Sequence, residues 1–198
     1  MSDEMTKPIT RDKALQLLDE INRELNNEGI YATMDIYGGV VMMVSFMPQY
    51  SSVDFDARFS DIAYDSYQKI LKTVGERNGL GPGWVDESVC SIINDDMKIE
   101  KLTKYSNFSN LTVRFPIAEQ LLAMKLFAAR LADDRHDLSH AALLCKELGI
   151  KTRNRMEEVL KIYFKEDSIK HQNRQKGRHN CIHDFMTCLV EELKNAHI

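Results

Sequence analysis

Two aspartates at alternate positions, Asp54 and Asp56, follow a pair of glycines in this 198-residue chain. Residues 52–58 are predicted to form a strand, whose side chains alternate between the two faces. Asp54 and Asp56 would then point the same way, about 7 Å apart at the backbone, and Val53 and Phe55 would face the other way. Neighbouring carboxylates repel, and a divalent cation removes that repulsion. The spacing predicts a Mg²⁺ site at Asp54 and Asp56, although a solvated strand face can show the same pattern.

Gly38 and Gly39 stand at the start of an apolar run, residues 40–46, which is predicted to be a short buried helix. A glycine turn ahead of a helix exposes backbone N–H groups that suit a phosphate. Together with the two aspartates, this predicts a site for a nucleoside triphosphate with its Mg²⁺. The alternative is that the two glycines form only a turn.

Three further charged residues are candidates for the same chemistry. Arg58 follows Asp56 at a spacing of two, so it would share that strand face and either contact a phosphate or pair with Asp56. Lys125 lies inside an apolar helical run. It either extends from the apolar face to solvent or presents a cation to the nucleotide or acceptor, with Asp137 as its partner.

Composition predicts a globular protein of one large domain, or of one domain with a helical extension. The chain is 43% hydrophobic and 28% charged, and its net charge of −4 excludes a globally basic coat for nucleic acid while leaving room for a local patch. Its start is acidic, and its longest apolar run is too short to span a bilayer. With four scattered cysteines, these features predict a cytoplasmic protein with free thiols and no membrane partner.

The spacing of apolar residues predicts an α/β (α+β) fold: strands and helices in residues 1–115, and a helical region in residues 116–198. Thr10 is a predicted N-cap and Gly29 a predicted helix end. The predicted strands are 31–37, 52–58, 98–105 and 111–115. The predicted helices are 11–28, 40–46, 62–78, a short one opening at Trp84, 117–128, 134–148, 152–164 and 180–194.

The chain resembles the AbiEii-like and related minimal nucleotidyltransferase-fold proteins of bacteria, many of which belong to toxin–antitoxin systems. The resemblance runs from about Asp12 to Phe164. It rests on four motifs in this order: Gly38-Gly39, Ser52-x-Asp54-x-Asp56, Leu122-Ala123-Met124-Lys125-Leu126 and Arg135-His136-Asp137-Leu138. The stretches Gly81-Pro82-Gly83-Trp84-Val85 and Leu111-Thr112-Val113 fit the same pattern.

This resemblance implies a mixed sheet with flanking helices, followed by a C-terminal helical bundle. It also implies Mg²⁺-dependent transfer of a nucleoside monophosphate from a triphosphate to a hydroxyl of RNA or protein. It assigns roles by position: the approach to the triphosphate to Gly38 and Gly39, the strand motif to Ser52, Asp54 and Asp56, and the charged helix positions to Lys125 and Asp137.

The sequence also departs from the family pattern. Relatives commonly have arginine where this chain has Tyr50, and the third carboxylate of the full catalytic set is missing from residues 111–115, which offer Arg114 instead. A second hypothesis is therefore a catalytically degenerate binding module, either a toxin–antitoxin partner or an RNA-binding scaffold. A Mg²⁺ nuclease is a third, although it gives no reason for the glycine turn.

The segment 168–179 has several basic residues and no acidic one. It is predicted to be a basic linker, either solvated or in contact with an RNA backbone. His179, Cys181 and His183 imitate a zinc pattern only loosely, and an ordinary helix is the favoured interpretation.

Overall fold

The computed structural model describes residues 8–128, 136–175 and 182–195. The chain has the predicted α+β content, with a mixed sheet and C-terminal helices. It divides into two compact units. The sheet unit comprises the residues up to Cys90 together with Leu102–Phe115, and the helical unit comprises Ser91–Lys101 together with the described residues from Pro116 onward.

Most predicted elements occur in the predicted order with shifts at several ends. The strands are β1 (Ile9–Thr10), β2 (Ala32–Ile36), β3 (Ser51–Ser52), β4 (Phe55–Ser60), β5 (Val85–Asp86), β6 (Leu102–Asn107) and β7 (Leu111–Pro116). The helices are α1 (Arg11–Glu28), α2 (Gly38–Ser45), α3 (Tyr64–Asn78), α4 (Val89–Ser91), α5 (Ala118–Ala128), α6 (His136–Glu147), α7 (Arg153–Tyr163), α8 (Glu166–Gln175) and α9 (Ile182–Asn195), with a π-helical turn at Ile92–Asp96. Of these elements, β1, β5 and α8 were not predicted.

The main sheet has five strands in the order β5-β4-β2-β7-β6. The central strand β2 runs antiparallel to β4 and parallel to β7, and β5 runs parallel to β4. A separate two-stranded sheet pairs β1 with β3. The connection from β2 through α2 and β3 to β4 therefore returns the chain beside β2 and brings the start of α2 next to β4.

Local sequence signals account for the long helix α1 ahead of the sheet. The hydroxyl of Thr10 accepts a hydrogen bond from the backbone N–H of Lys13 (3.3 Å), as expected of an N-cap. Gly29 ends the helix in the left-handed conformation, with φ +67°. Leu17, Leu18 and the other apolar residues at helical spacing are buried. The predicted limits of α1 are confirmed.

The strands of the main sheet present one apolar and one polar face. Met34, Ile36, Ala57 and Val113 are fully buried. The residues that alternate with them along the same strands are Thr33, Asp35, Asp56, Arg58, Thr112 and Arg114. This polar face holds Asp56 and Arg58, two of the charged residues that the sequence predicts for the site.

Trp84 anchors the loop that joins α3 to β5. It is 5% exposed, and its indole N–H donates to the carbonyl of Leu71 (3.1 Å). Its ring packs edge-on against Phe55, with centroids 5.5 Å apart. The prediction that a helix opens at Trp84 is wrong, because this residue precedes β5 and α4 begins only at Val89. The contacts that bury the indole hold Trp84 in the loop ahead of β5, and the spacing of apolar residues in the sequence does not reveal these contacts.

Within the helical unit, α5 contacts α6, α7 and α9, and α9 also contacts α6 and α7. The rings of Phe127 and Phe164 stack there at 4.1 Å. The predicted linker 168–179 is helical as far as Gln175, since α8 covers Glu166–Gln175; the remainder of that segment lies outside the described residues. In the ranges that the structure describes, no helix combines the length and apolarity needed to cross a bilayer.

Replacement of Gly75 by alanine should destabilise the sheet unit. Alanine favours a helix by about 1 kcal/mol over glycine, but a Cβ at Gly75 would lie 2.7 Å from Nε1 of Trp84. We expect the displaced indole to give a net loss of about 1–3 kcal/mol. Chemical denaturation followed by the fluorescence of the chain's one tryptophan measures it, with Lys72→Ala on the same helix as the control. A more stable Gly75→Ala variant would contradict this packing.

Candidate functional site at the diglycine bend

The candidate site begins at the turn from β2 into α2. Gly38, the first residue of α2, has φ +61°, a backbone conformation that favours glycine. The residue before it, Tyr37, makes no side-chain cap to the helix. Its backbone N–H instead donates to the carbonyl of Asp56 (2.8 Å). This bond ties the bend directly to β4.

Both glycines are in close contact with residues that the sequence motifs single out. A Cβ on Gly38 would overlap Oδ2 of Asp56 and lie 2.8 Å from its Cγ. A Cβ on Gly39 would lie 2.6 Å from the hydroxyl oxygen of Ser52. Only a backbone without side chains lets the carboxylate and the hydroxyl approach the helix start this closely. The structure therefore brings together Gly38, Gly39, Ser52 and Asp56, as the sequence predicts.

The predicted continuous strand 52–58 is wrong in its first part. β3 ends at Ser52 and β4 begins at Phe55, with Val53 and Asp54 in a bend between them. Val53 is 60% exposed, so it does not share the buried face of Phe55. Ser52 pairs with Ile9 of β1, whereas the N–H of Phe55 donates to the carbonyl of Trp84. Two different partners interrupt the strand, and Asp54 does not alternate with Asp56 on one strand face.

Beyond Asp56, the polar face of the sheet has a row of charged side chains across three strands. The strand register places Asp35 of β2 opposite Arg58 of β4 on one side and opposite Arg114 of β7 on the other. We call these three residues the polar row. Oδ1 of Asp35 accepts from Nε of Arg114 (2.6 Å), and Oδ2 accepts from Nη2 of Arg114 (2.8 Å) and from Nη2 of Arg58 (2.7 Å).

Burial within the polar row is uneven. The side chain of Asp35 is 0% exposed, whereas those of Arg58 and Arg114 are 24% and 37% exposed. The sequence predicts either a phosphate or Asp56 as the partner of Arg58, and the structure adds an ion pair with Asp35. The sequence does not single out Asp35, because its pairing with two arginines depends on strand register, which no local pattern specifies. The available signal is the alternation of apolar and polar residues along this strand, which places Asp35 on the polar face.

The edge strand β5 adds further polar groups beside β4. Asp86 lies opposite Asp56 in the register, and its carboxylate accepts from the N–H and the hydroxyl of Ser88, both at 2.8 Å. Burial raises the pKa of the nearby Cys90 thiol, and the carboxylates of Glu87, Asp86 and Asp35 raise it further, against an opposing effect of Arg58. The thiol is therefore protonated at neutral pH and is unsuited to act as a nucleophile.

The side-chain oxygens beside the diglycine bend are of the type that binds Mg²⁺, because this ion prefers oxygen ligands. Asp56 and Ser52 supply such oxygens beside Gly38 and Gly39. Asp54 lies in the separate bend that joins β3 to β4. Among the residues described, no group of three or more histidine, cysteine, aspartate or glutamate side chains is arranged to hold a metal ion. A cation here would take its remaining ligands from phosphates and water, as Mg²⁺ commonly does.

Lys125 and Asp137 form the ion pair that the sequence predicts, within the helical unit. Nζ of Lys125 lies 2.7 Å from Oδ1 of Asp137, and the two side chains are 14% and 18% exposed. The contact joins α5 to α6 and keeps Lys125 from simply extending into solvent. In the loose zinc pattern, His179 and Cys181 lie outside the described residues, and His183 contacts the guanidinium of Arg153.

Comparisons of the chain with protein-family models, with curated proteins and with solved structures find no significant match. The resemblance to minimal nucleotidyltransferase-fold proteins therefore remains a prediction that rests on the four ordered motifs.

Gly38→Ala should cost more stability than Gly29→Ala. Both glycines have positive φ, +61° and +67°, and an alanine costs about 1–2 kcal/mol in either place. Gly29 has open space around its Cβ position, whereas Gly38 faces the carboxylate of Asp56. We expect an extra loss of about 1–3 kcal/mol for Gly38→Ala, measured by urea denaturation of both variants. Equal losses of unfolding free energy in the two variants would mean that the carboxylate of Asp56 does not lie against Gly38.

Proposed function

We propose that this protein is a Mg²⁺-dependent nucleotidyltransferase that moves a nucleoside monophosphate from a triphosphate to a hydroxyl of RNA or protein, in a toxin–antitoxin context. The observation behind the proposal is the contact of Gly38 and Gly39 with Asp56 and Ser52. It puts the N–H groups of a helix start, which attract phosphate, next to oxygens that attract a divalent cation. A triphosphate with its cation requires that combination.

The bend and β4 would position the triphosphate for attack. In nucleotidyl transfer, the acceptor hydroxyl oxygen forms a bond to the α-phosphorus, the bond from that phosphorus to the pyrophosphate breaks, and the hydroxyl proton goes to a base. Bound Mg²⁺, held by Asp56 and by Asp54 as the second ligand that the resemblance implies, would neutralise charge on the phosphates. The backbone N–H groups at Gly38 and Gly39 would bind phosphate oxygens without a side chain between them.

Lys125 and Asp137 would serve charge neutralisation and acceptor activation, as the resemblance implies. The ion pair supports this assignment, because Asp137 holds the amine of Lys125 in a fixed position at 2.7 Å, although the lysine lies inside an apolar helical run. The fixed amine suits a negatively charged ligand, and the carboxylate suits a hydroxyl proton.

A second candidate function is a catalytically degenerate module of the same fold that binds RNA or a cognate toxin or antitoxin. A specific observation favours it: Arg114 stands on β7, where the family pattern has a third carboxylate, and it is bonded to Asp35. A guanidinium carries a positive charge and cannot coordinate a metal ion, so Arg114 does not replace that carboxylate as a ligand. Such a module would bind a ligand at the bend without turning it over.

Asp56→Asn should abolish both transfer and Mg²⁺-dependent ligand binding. The amide keeps the size of the carboxylate but loses the charge that binds the cation. The assay follows α-labelled nucleoside triphosphates, one base at a time, into RNA and into protein with Mg²⁺ or with EDTA. Thermal shift with the same ligands reports binding, because a ligand of the folded state stabilises it. Glu76→Gln, an exposed carboxylate on α3, is the matched control.

Three outcomes separate the hypotheses. Transfer by the wild type and by Glu76→Gln, lost in Asp56→Asn and with EDTA, supports the enzyme. A thermal shift that depends on Asp56 with no transfer to any acceptor favours the binding module. A wild type that shows neither a shift nor transfer with any triphosphate overturns the nucleotide site.

A further inference from the structure

We propose that Asp35 is a positioning residue that holds Arg58 and Arg114 as a phosphate-binding pair on the polar face of the sheet. The inference rests on the proposed function, because it identifies which side chains would hold the phosphates of the same triphosphate. It gives roles to Asp35 and Arg114, which neither the motifs nor the family pattern assigns, and joins them to the phosphate contact considered above for Arg58.

Strand register gives the polar row its geometry. Arg58, Asp35 and Arg114 lie directly opposite one another on β4, β2 and β7. Neighbouring strands are about 4.8 Å apart, so the backbones of the two arginines are about 10 Å apart with one carboxylate between them. The arrangement is a line of alternating charge across the centre of the sheet, and it does not depend on a loop.

The energetics of the row balance desolvation against ion pairing. The side chain of Asp35 is 0% exposed, so its carboxylate has lost its hydration. The attraction of its ion pairs offsets the free-energy cost of that loss only when their geometry is good. Buried ion clusters are often no more stabilising than apolar residues of the same volume. The net stabilisation expected of the row is therefore small, and the geometry in which Asp35 holds the two arginines carries the inference.

The contacts fix the orientation of the guanidiniums. Arg114 donates two hydrogen bonds to the carboxylate of Asp35, one from Nε and one from Nη2, and each goes to a different oxygen. Arg58 donates one, from Nη2. Planar, two-pronged donation also suits phosphate. The arginines are partly exposed and Asp35 is not, so an anion would reach the guanidiniums from the polar face.

The polar row lies beside the diglycine bend. Arg58 follows Asp56 at a spacing of two on β4, about 7 Å along the same face. Asp35 lies on β2 just before Tyr37 and Gly38, where that strand turns into α2. Asp56 and Asp86 at one end of this face suit a cation, and Arg114 at the other end suits an anion. A Mg²⁺-bound phosphate chain matches that order of charge.

The test measures the binding of inorganic triphosphate with Mg²⁺ to the full chain by titration calorimetry, which needs no base and no acceptor. Arg114→Gln should weaken binding about tenfold or more, the loss of one charged hydrogen-bonding group. Arg77→Gln is the matched control, since Arg77 also pairs with carboxylates, Glu20 and Glu24 on α1, and is half exposed. It should bind as the wild type does.

Asp35→Asn separates positioning from charge. Removal of a negative charge alone should tighten the binding of an anion, whereas loss of orientation should weaken it despite the more positive site. We expect binding several-fold weaker than wild type. Because this variant leaves two guanidiniums without their buried partner and its fold is at risk, Arg114→Lys provides the second test. It keeps the charge, loses the two-pronged geometry, and should also bind more weakly.

Nucleotide transfer is measured separately on the wild type, so that the two proposals can fail separately. Triphosphate binding that depends on Arg114 and Asp35 supports the inference even when no transfer is found, an outcome that counts against the enzyme alone. Transfer by a protein whose triphosphate affinity is unchanged in Arg114→Gln and Arg114→Lys overturns the inference and leaves the enzyme standing. Tighter binding by a folded Asp35→Asn variant also overturns the positioning role.

Discussion

The absence of a Cβ atom at two consecutive positions is the constraint on which the candidate site depends. Gly38 and Gly39 let α2 start in contact with the carboxylate of Asp56 and the hydroxyl of Ser52. Any side chain at Gly38 would occupy the place of the carboxylate and would also meet an unfavourable positive φ. A steric requirement and a conformational requirement thus coincide at one residue, and both are met only by glycine.

The strand register of the sheet arranges charged side chains in a fixed order beside this contact. The central position of β2 gives Asp35 a neighbour on each side, and the registers to β4 and β7 place an arginine at both. Carboxylates therefore lie near the bend and guanidiniums lie along the same polar face. The opposite face of these strands is apolar and buried. The core can fix the strand register, and the polar face carries the charged residues of the candidate site.

Local signals predicted much of the fold, and non-local pairing explains what they missed. The limits of α1 follow from Thr10 and Gly29, since both act within one helical turn. The contact between Lys125 and Asp137 spans only 12 positions and follows from the spacing of two helices. The pairing of Asp35 with Arg114 spans 79 positions and depends on a register that no local pattern specifies. The break at Val53 and Asp54 has the same origin, because the partners of Ser52 and Phe55 lie in different sheets.

Paramagnetic broadening tests the central claim most directly. Mn²⁺ replaces Mg²⁺ at oxygen sites and broadens the NMR signals of nearby nuclei, so ¹H–¹⁵N spectra of the full chain with Mn²⁺ and inorganic triphosphate would locate the ion. We expect the earliest broadening at the backbone amides of Gly38, Gly39 and Asp56, and its loss in Asp56→Asn. Broadening confined to other parts of the chain, or unchanged in Asp56→Asn, would contradict a metal–phosphate site at the diglycine bend.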